Sequence, residues 1–573
     1  MEARIGDQTS GPALEGGERM SDSEMGMIER FTDELDPVIF AFGALLSVGV
    51  IVAFFIDQDF VASGIDTVHD EMLSYMSWAL LVIVFLIVVF LLFLIVGPWG
   101  KIKLGDSDPE YSFLSFFAML YSAGFAAGVV FWGPTEGLFY YADPNPLFGA
   151  EAESGAAIPL AIQQTLFHWA LPQLAVFTIM GIAIGYFAYN YDKVPLRVSS
   201  ALTPLLGKEN LDGTAAKVID ILAVFATIGG VATSLGFIGS QFVSGLDYQW
   251  GIDLGNTGIL IVVTGMTILF TISMVLGIDK GIRRLSNFNM GLFVALMIIT
   301  FIAGPTMLLL LLGSQAMGGM IGDFVSMSLY TGAGEGSTGW VEAWTVFYWA
   351  WALSWSPFAG LFIARISKGR TVREVAFTGI IATSAATIPW FTFVGGTAVW
   401  AQHEGVADFS AVLAGEAGAE VSGFILFDAL SLSVAGVSIP IGSILILGFM
   451  VLVTTFFVTS ADSSTLAVSM MTTGGKEQPS NINRIFWGVV LGMTAAILMI
   501  LGGDQGAGAL EQAVVITGAP FAIVCFLALL CLVKDFSGTQ GRVLLQNKTV
   551  LFGSTPDPSS DDDPSPTPEP GDD

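Results

Sequence analysis

Residues 339–370 read GWVEAWTVFYWAWALSWSPFAGLFIARISKGR. A bilayer asks for about 20 consecutive, mainly apolar residues in a spanning helix, and 341–363 supplies such a run. Five of the chain's 13 tryptophans lie here: Trp340, Trp344, Trp349, Trp351 and Trp355. Read as a helix, Trp344, Tyr348, Trp351, Trp355, Phe358 and Phe362 recur at spacings of four and three, which gathers them on one face. Tryptophans of a structural membrane helix collect at its ends, at head-group level. Here they run through the middle, so the stripe reads as the wall of a pathway. An indole face attracts an ammonium or methylated ammonium group, more strongly when water is excluded. A lipid-facing or helix-packing stripe is the plainer alternative.

Outward from this segment the chain keeps the same character. Of 573 residues, 53% are hydrophobic and 12% charged, with a mean hydropathy of +0.72. No soluble domain of this size needs that much apolar surface. Twelve runs have spanning length: about 38–56, 74–97, 112–141, 157–188, 217–245, 256–277, 289–313, 341–363, 375–400, 437–470, 485–502 and 509–533. The fold class is all-α, integral to the membrane, with twelve transmembrane helices. With the N-terminus inside, all 21 Lys and Arg fall in the tails or the inner loops, among them Lys101, Lys103, Arg197, Lys217, Arg365, Arg370, Lys476 and Arg484. The outer loops carry acids such as Asp57, Asp59, Asp66 and Asp70. This separation predicts a multi-pass protein of the cell membrane with both termini cytoplasmic.

Residues 1–36 are polar and acidic, without the pattern of a cleavable signal peptide. Residues 37–535 form one membrane domain. Residues 536–573 end in SSDDDPSPTPEPGDD, an acidic, Pro-rich tail expected to be disordered. Two outer stretches, 314–338 and 401–436, mix Gly with apolar residues and predict short interfacial helices. The net charge of −29 suggests a high-salt habitat, where carboxylates keep a surface hydrated, and, with no concentrated basic patch, it argues against nucleic-acid binding. Cys525 and Cys531 read as apolar fillers. Three histidines (His69, His168, His403) make no metal cluster, and neither a nucleophile–base pair nor a P-loop is present. An enzyme or an ATP-driven pump is not what this chain describes, and no cofactor is expected.

Three further segments carry polar chemistry within apolar surroundings. The third span reads MLYSAGFAAGVVFWGPTEG, residues 119–137. Its Gly124 and Gly128 permit an unwound, cavity-facing backbone or a close helix contact. The tenth contains TTFFVTSADSSTLAVS, residues 454–469. There Thr459 and Ser460 offer the hard oxygens an alkali cation prefers, or bond back to their own helix. Asp462, the one acid of that span, reads as a cation ligand, a helix cap or the partner of an inner basic residue. His168, in FHWALPQL, is a proton relay or a histidine satisfied by a neighbouring helix.

The segment FYWAWALSWSPFAGLFIARISKGRTVRE closely resembles the diagnostic segment of the betaine/carnitine/choline transporter family. MLYSAGFAAGVVFWGPTEG, FHW, FATIGGVATSLG and FFVTSADSST resemble that family too, and the likeness runs from about 37 to 535. It implies a LeuT-like fold: two inverted five-helix repeats, about 112–313 and 341–533, with two additional N-terminal helices. It also implies alternating access, a homotrimer, and import of a compatible solute such as glycine betaine, choline, carnitine or a related zwitterion. By the same resemblance the substrate site comprises Trp169, Phe177, Trp351, Ala352, Trp355 and Phe358. Sodium is implied as the coupling ion, held by Ser122, Phe125, Phe456, Thr459 and Ser460, with a second ion near Thr233 and Ser234. The chain departs from the pattern at Leu174 and Phe177, where a Trp and a Tyr are expected, and at Ala352, which replaces a Trp. Its acidic C-terminal tail also differs from the basic helical tail of osmosensing relatives. A sodium-independent exchanger and a non-transporting solute sensor are the rival readings.

Overall fold

The computed structural model describes residues 27–275, 279–415, 418–434, 437–476, 478–501 and 507–538. The remainder of the two expected tails, 1–26 and 539–573, lies outside these. Among the described residues, nine helices are long and apolar enough to cross a membrane: Pro37–Ile56, Gln58–Val96, Ala157–Asn190, Thr214–Trp250, Thr338–Ile366, Val372–His403, Gly442–Met471, Asn481–Ile500 and Glu511–Ser537. Asn287–Ala303 and Thr306–Gly322 form a further apolar pair bent by 111°. Helices Phe113–Trp132 and Gly255–Val275 occupy the third and sixth expected segments. The sharp bend falls at Gly304-Pro305, because proline lacks the N–H that would continue the ladder and disfavours helix in the residue before it.

Burial sorts the helices. The apolar window of the first span is 28% buried, against 94% for the fourth and eighth, so these two form the centre. The eighth packs along the fourth, the fifth and the twelfth. Glycine permits the closest of these contacts. A Cβ on Gly181 would lie 2.4 Å from Ile363 Cγ2, and one on Gly360 would lie 2.5 Å from Met180 Cβ. Backbones brought together by small residues gain dispersion contacts that larger side chains would prevent.

The loops expected to lie inside meet at one end of the bundle. Lys103 bridges to Thr371, Arg373 donates to the Gly97 carbonyl, and Arg197 sits 3.6 Å from Asp220. The last residues of the expected N-terminal tail pack there as well. Helix Met27–Glu34 ends on Glu34, which accepts from the Ser480 amide and pairs with Lys476 at 3.7 Å. Asp36 caps the first span and pairs with Lys217 at 3.2 Å.

Stretch 401–436 holds the expected short helices, Ser410–Leu413 and Ser422–Asp428. It also corrects the purely helical expectation. An antiparallel hairpin pairs Ser431–Val434 with Val437–Pro440, so the tenth span starts at Gly442 rather than 437. Ser-Leu-Ser-Val and Val-Ser-Ile-Pro alternate polar and apolar residues with period two, a strand pattern that the apolar content of the run concealed.

Candidate functional site

The fourth span breaks at its tryptophan. Helix Ala157–Trp169 ends, Ala170 leaves the helical region at φ −98°, ψ −120°, and Leu171–Asn190 begins with Pro172 in its first turn. Proline is tolerated there because that N–H has no intrahelical partner. The break holds Trp169 at a helix end, facing the eighth span. Its ring stacks on Phe391 at 5.0 Å and meets Tyr348 at 5.6 Å and Trp351 at 5.8 Å, both edge to face. Trp351 in turn stacks on Phe347 and meets Phe237 of the fifth span at 5.6 Å. Trp132 closes the cluster against Phe237 and Tyr348. Phe391 lies in a π-helical turn, Phe391–Gly395, the kind of local widening that recurs at functional sites.

The third span touches the same rings. A Cβ on Gly128 would lie 2.7 Å from Trp169 Cη2 and 2.8 Å from Trp351 Cη2. Helix Phe113–Trp132 runs through Gly124 and Gly128 without a break. The unwinding considered for these glycines is not found. Gly128 instead lets a helix press onto two indoles, and the irregular backbone lies in the fourth span.

The predicted substrate residues fall into two groups. Trp169 and Trp351 meet in the cluster just described. Trp355 and Phe358, rings 5.6 Å apart, lie one turn on, where Trp355 Nε1 donates to the Gly230 carbonyl at 2.9 Å. Ala352 is buried between these groups in sequence, and Phe177 is buried two turns beyond Trp169. A cation is held within about 6 Å of each ring it faces. Trp169 and Trp351, edge to face at 5.8 Å, leave no space between them for a cation facing both rings. Trp169 Nε1 is tied to Glu136 Oε2, whereas Trp351 Nε1 is buried without a hydrogen-bond partner among the described residues. Trp351 is the ring with least to lose by moving.

Glu136 is the main omission from the sequence reading. It is fully buried, with Oε1 3.0 Å from His168 Nδ1. His168 also meets Tyr140 Oη at 2.8 Å, Gln164 Nε2 at 3.0 Å and Thr345 Oγ1 at 3.1 Å. The histidine is thus satisfied by its neighbours, as the second of its two readings has it. Glu136 is the only acid in residues 119–137. The rule that flagged Asp462, that ionisable groups inside membrane segments are costly and functional, would have flagged it too.

The expected ion residues lie on intact helix. Thr459 Oγ1 donates to the carbonyls of Thr455 and Phe456 at 3.2 and 3.1 Å, and accepts from Asn289 Nδ2 at 3.3 Å. Thr233 and Ser234 bond back to Gly229 and Gly230 at 2.9 and 3.1 Å. Back-bonding of hydroxyls to the preceding turn describes these three. Phe456 and Ser460 are buried beside Thr459. The side chains of Ser122 and Phe125 lie outside the described residues, although the third span does pack against the tenth. Asp462 pairs with Arg484 at 3.1 Å, so it is the partner of an inner basic residue.

The model of the betaine/carnitine/choline family of transporters matches residues 38–541. The chain belongs to this transporter family. A glycine betaine transporter of Bacillus subtilis is 38% identical over 464 residues, covering 80% of this chain and 86% of that one. A second glycine betaine transporter, from Vibrio parahaemolyticus, is 34% identical over 86% of this chain and 92% of its own length. A betaine/ectoine transporter of Corynebacterium glutamicum is 32% identical over 88% and 78%. Membership makes this chain a multi-pass membrane transporter of a small organic solute rather than an enzyme. Leu174 and Ala352, where the resemblance leads one to expect tryptophan, are both buried.

Proposed function

We propose that this protein imports a methylated ammonium or zwitterionic compatible solute, glycine betaine foremost, into the cell against its gradient. The observation that carries the reading is the buried box of Trp169, Trp351, Phe237 and Phe391, whose faces suit a cation that has shed its water. Phe177, Ala352, Trp355 and Phe358 extend the solute's path along the fourth and eighth spans. Sodium drives the import, held where the third span meets the tenth by Ser122, Phe125, Phe456, Thr459 and Ser460. Thr233 and Ser234 serve a second ion. The hydroxyls that now bond to their own helix exchange those bonds for a cation with little rearrangement. The architecture is LeuT-like, with twelve spans: two N-terminal helices, then inverted repeats over 112–313 and 341–533 that rock about a central site. The working unit is a homotrimer in the plasma membrane with both termini cytoplasmic, and the acidic surface suits a halophilic host.

Radiolabelled glycine betaine uptake into proteoliposomes, with and without an inward sodium gradient at high salt, tests this. Sodium-dependent accumulation is the expected result. Accumulation that needs internal counter-substrate and ignores sodium would establish the exchanger instead. Binding without flux would establish the sensor.

A further inference from the structure

The fifth span, Thr214–Trp250, turns one stripe toward the eighth. Gly230, Ser234, Phe237, Gln241 and Gly245 follow one another at spacings of four, three, four and four, which lines them up along one face of the helix. The contacts fix where that face points. Trp355 of the eighth span bonds the Gly230 carbonyl, and the Phe237 ring meets Trp132 and Trp351. The opposite face, at Gly239, lies against Val263 and Met499. Gln241 therefore stands one turn, about 6 Å, beyond Phe237, toward the end of the bundle away from Lys217. The eighth span runs the other way, so the ring at that level is Phe347, which stacks on Trp351.

A cover lies over this position. A Cβ on Gly245 would stand 2.4 Å from Phe424 Cζ. Ser244 Oγ donates to Glu420 at 3.3 Å, and Thr135 Oγ1 donates to the Ala419 carbonyl at 3.2 Å. Residues 419–428 thus close over the ends of the third and fifth spans, and Gln241 beneath them is 0% exposed. Neither its Oε1 nor its Nε2 has a hydrogen-bond partner among the described residues. A buried amide with its hydrogen bonds unmade is costly, and a leucine there would avoid the cost. The amide offers two N–H donors and one carbonyl, one turn from an aromatic box, in a space closed to water.

The rings suit a methylated ammonium but offer nothing to a carboxylate, and a carboxylate taken out of water needs donors. We propose that Gln241 is a specificity-determining residue of the transport site, whose Nε2 donates to the carboxylate of a zwitterionic solute while the methylated ammonium lies in the box at Phe237. One helical turn separates the two contacts, which suits a solute whose opposite charges are joined by a short linker. The preferred solute is then a carboxylate-bearing ammonium compound such as glycine betaine, ahead of choline, because a charged acceptor makes the stronger hydrogen bond and a hydroxyl the weaker one. This assignment rests on the solute reading above.

The test is tryptophan-fluorescence titration of the purified full chain with glycine betaine and with tetramethylammonium, which has the cationic head and no carboxylate. Wild type should bind glycine betaine the more tightly. Gln241→Leu should raise the Kd for glycine betaine roughly tenfold, the worth of one hydrogen bond to a charged group, and leave that for tetramethylammonium unchanged. It should also raise Tm by a few degrees, because the unmet amide is gone. Gln241→Glu, which puts a carboxylate where the donors were, should weaken glycine betaine binding further without weakening tetramethylammonium. Unchanged glycine betaine affinity in Gln241→Leu overturns the assignment, as does an equal loss for both ligands or a lowered Tm. Wild type that binds tetramethylammonium but not glycine betaine also overturns it and leaves the cation-binding box standing. Wild type that binds neither overturns the solute reading itself, and this assignment with it.

Discussion

Replacing Gly128 by Ala separates the fit of the box from the stability of the bundle. The new Cβ would stand 2.7 Å from Trp169 Cη2 and 2.8 Å from Trp351 Cη2. Carbon atoms rest at about 3.5–4.0 Å, so one or both ring tips must retreat by roughly 0.7–0.8 Å, taking the near end of that range. Overpacking of this kind costs about 1–3 kcal/mol. Removing a glycine from a helix interior returns about 1 kcal/mol. The net loss, about 0–2 kcal/mol, leaves a folded protein. Trp169 is held by Glu136 while Trp351 has no such bond, so Trp351 gives way. A cation–π contact is worth about 0.5–2 kcal/mol, and spoiling one costs on the order of tenfold in affinity. Gly128→Ala should therefore raise the KM for glycine betaine in proteoliposomes about tenfold, with Tm lowered by only a few degrees. Adding Trp351→Phe, which removes one of the two colliding ring tips and leaves that of Trp169, should restore part of the lost Tm without restoring KM. Gly265→Ala, also inside a helix but with nothing within 4 Å, is the control: it should leave KM unchanged and raise Tm by a few degrees, the gain of removing a helix glycine. Wild-type KM in Gly128→Ala, in protein of unchanged Tm, would refute the reasoning.

Thr459→Ala combined with Ser460→Ala should abolish sodium stimulation of uptake while the protein purifies normally; undiminished sodium dependence would remove these hydroxyls from the ion site. Trp355→Leu takes away the bond to the Gly230 carbonyl and the indole face together. It should raise KM or eliminate transport, and wild-type kinetics would return this part of the stripe to a packing role. Arg484→Ala removes the ion-pair partner of Asp462, whose side chain is 3% exposed, and should cost about 3 kcal/mol, read as a fall in Tm. Asp462→Asn should cost less, since an amide needs no counter-ion, and equal losses in the two variants would argue against the ion pair.

Particular residues show where sequence reasoning reached and where it stopped. The aromatic stripe of 339–370 was legible because a helix repeats every three to four residues, so neighbours on one face are computed from spacing alone. The pairing of Asp462 with a basic residue follows from local chemistry of the same kind, whereas the expected seventh span, 289–313, ran unbroken across the bend at Gly304-Pro305. For the third-span glycines the sequence left two readings open, an unwound backbone or a close helix contact, and Gly128 takes the second. The helix break occurs beside Pro172 in the fourth, where a missing N–H makes it cheap. Glycine's freedom names no single conformation, and here it was spent on contact with two indoles instead.

The sequence by itself determined the helical membrane class of the molecule, nine of its apolar spanning helices and the membership of a solute-transporter family. Each of these depends on composition, hydropathy or short-range periodicity, which are properties of consecutive residues. Only the tertiary structure decided which aromatic rings meet. Trp169 and Trp351 are 182 positions apart in the chain, and Phe237 and Phe391 come from two further helices. The structure alone also put Glu136 behind Trp169. Whether a buried acid is a cap or a partner depends on the donors around it, and those arrive from helices that sequence spacing does not bring together.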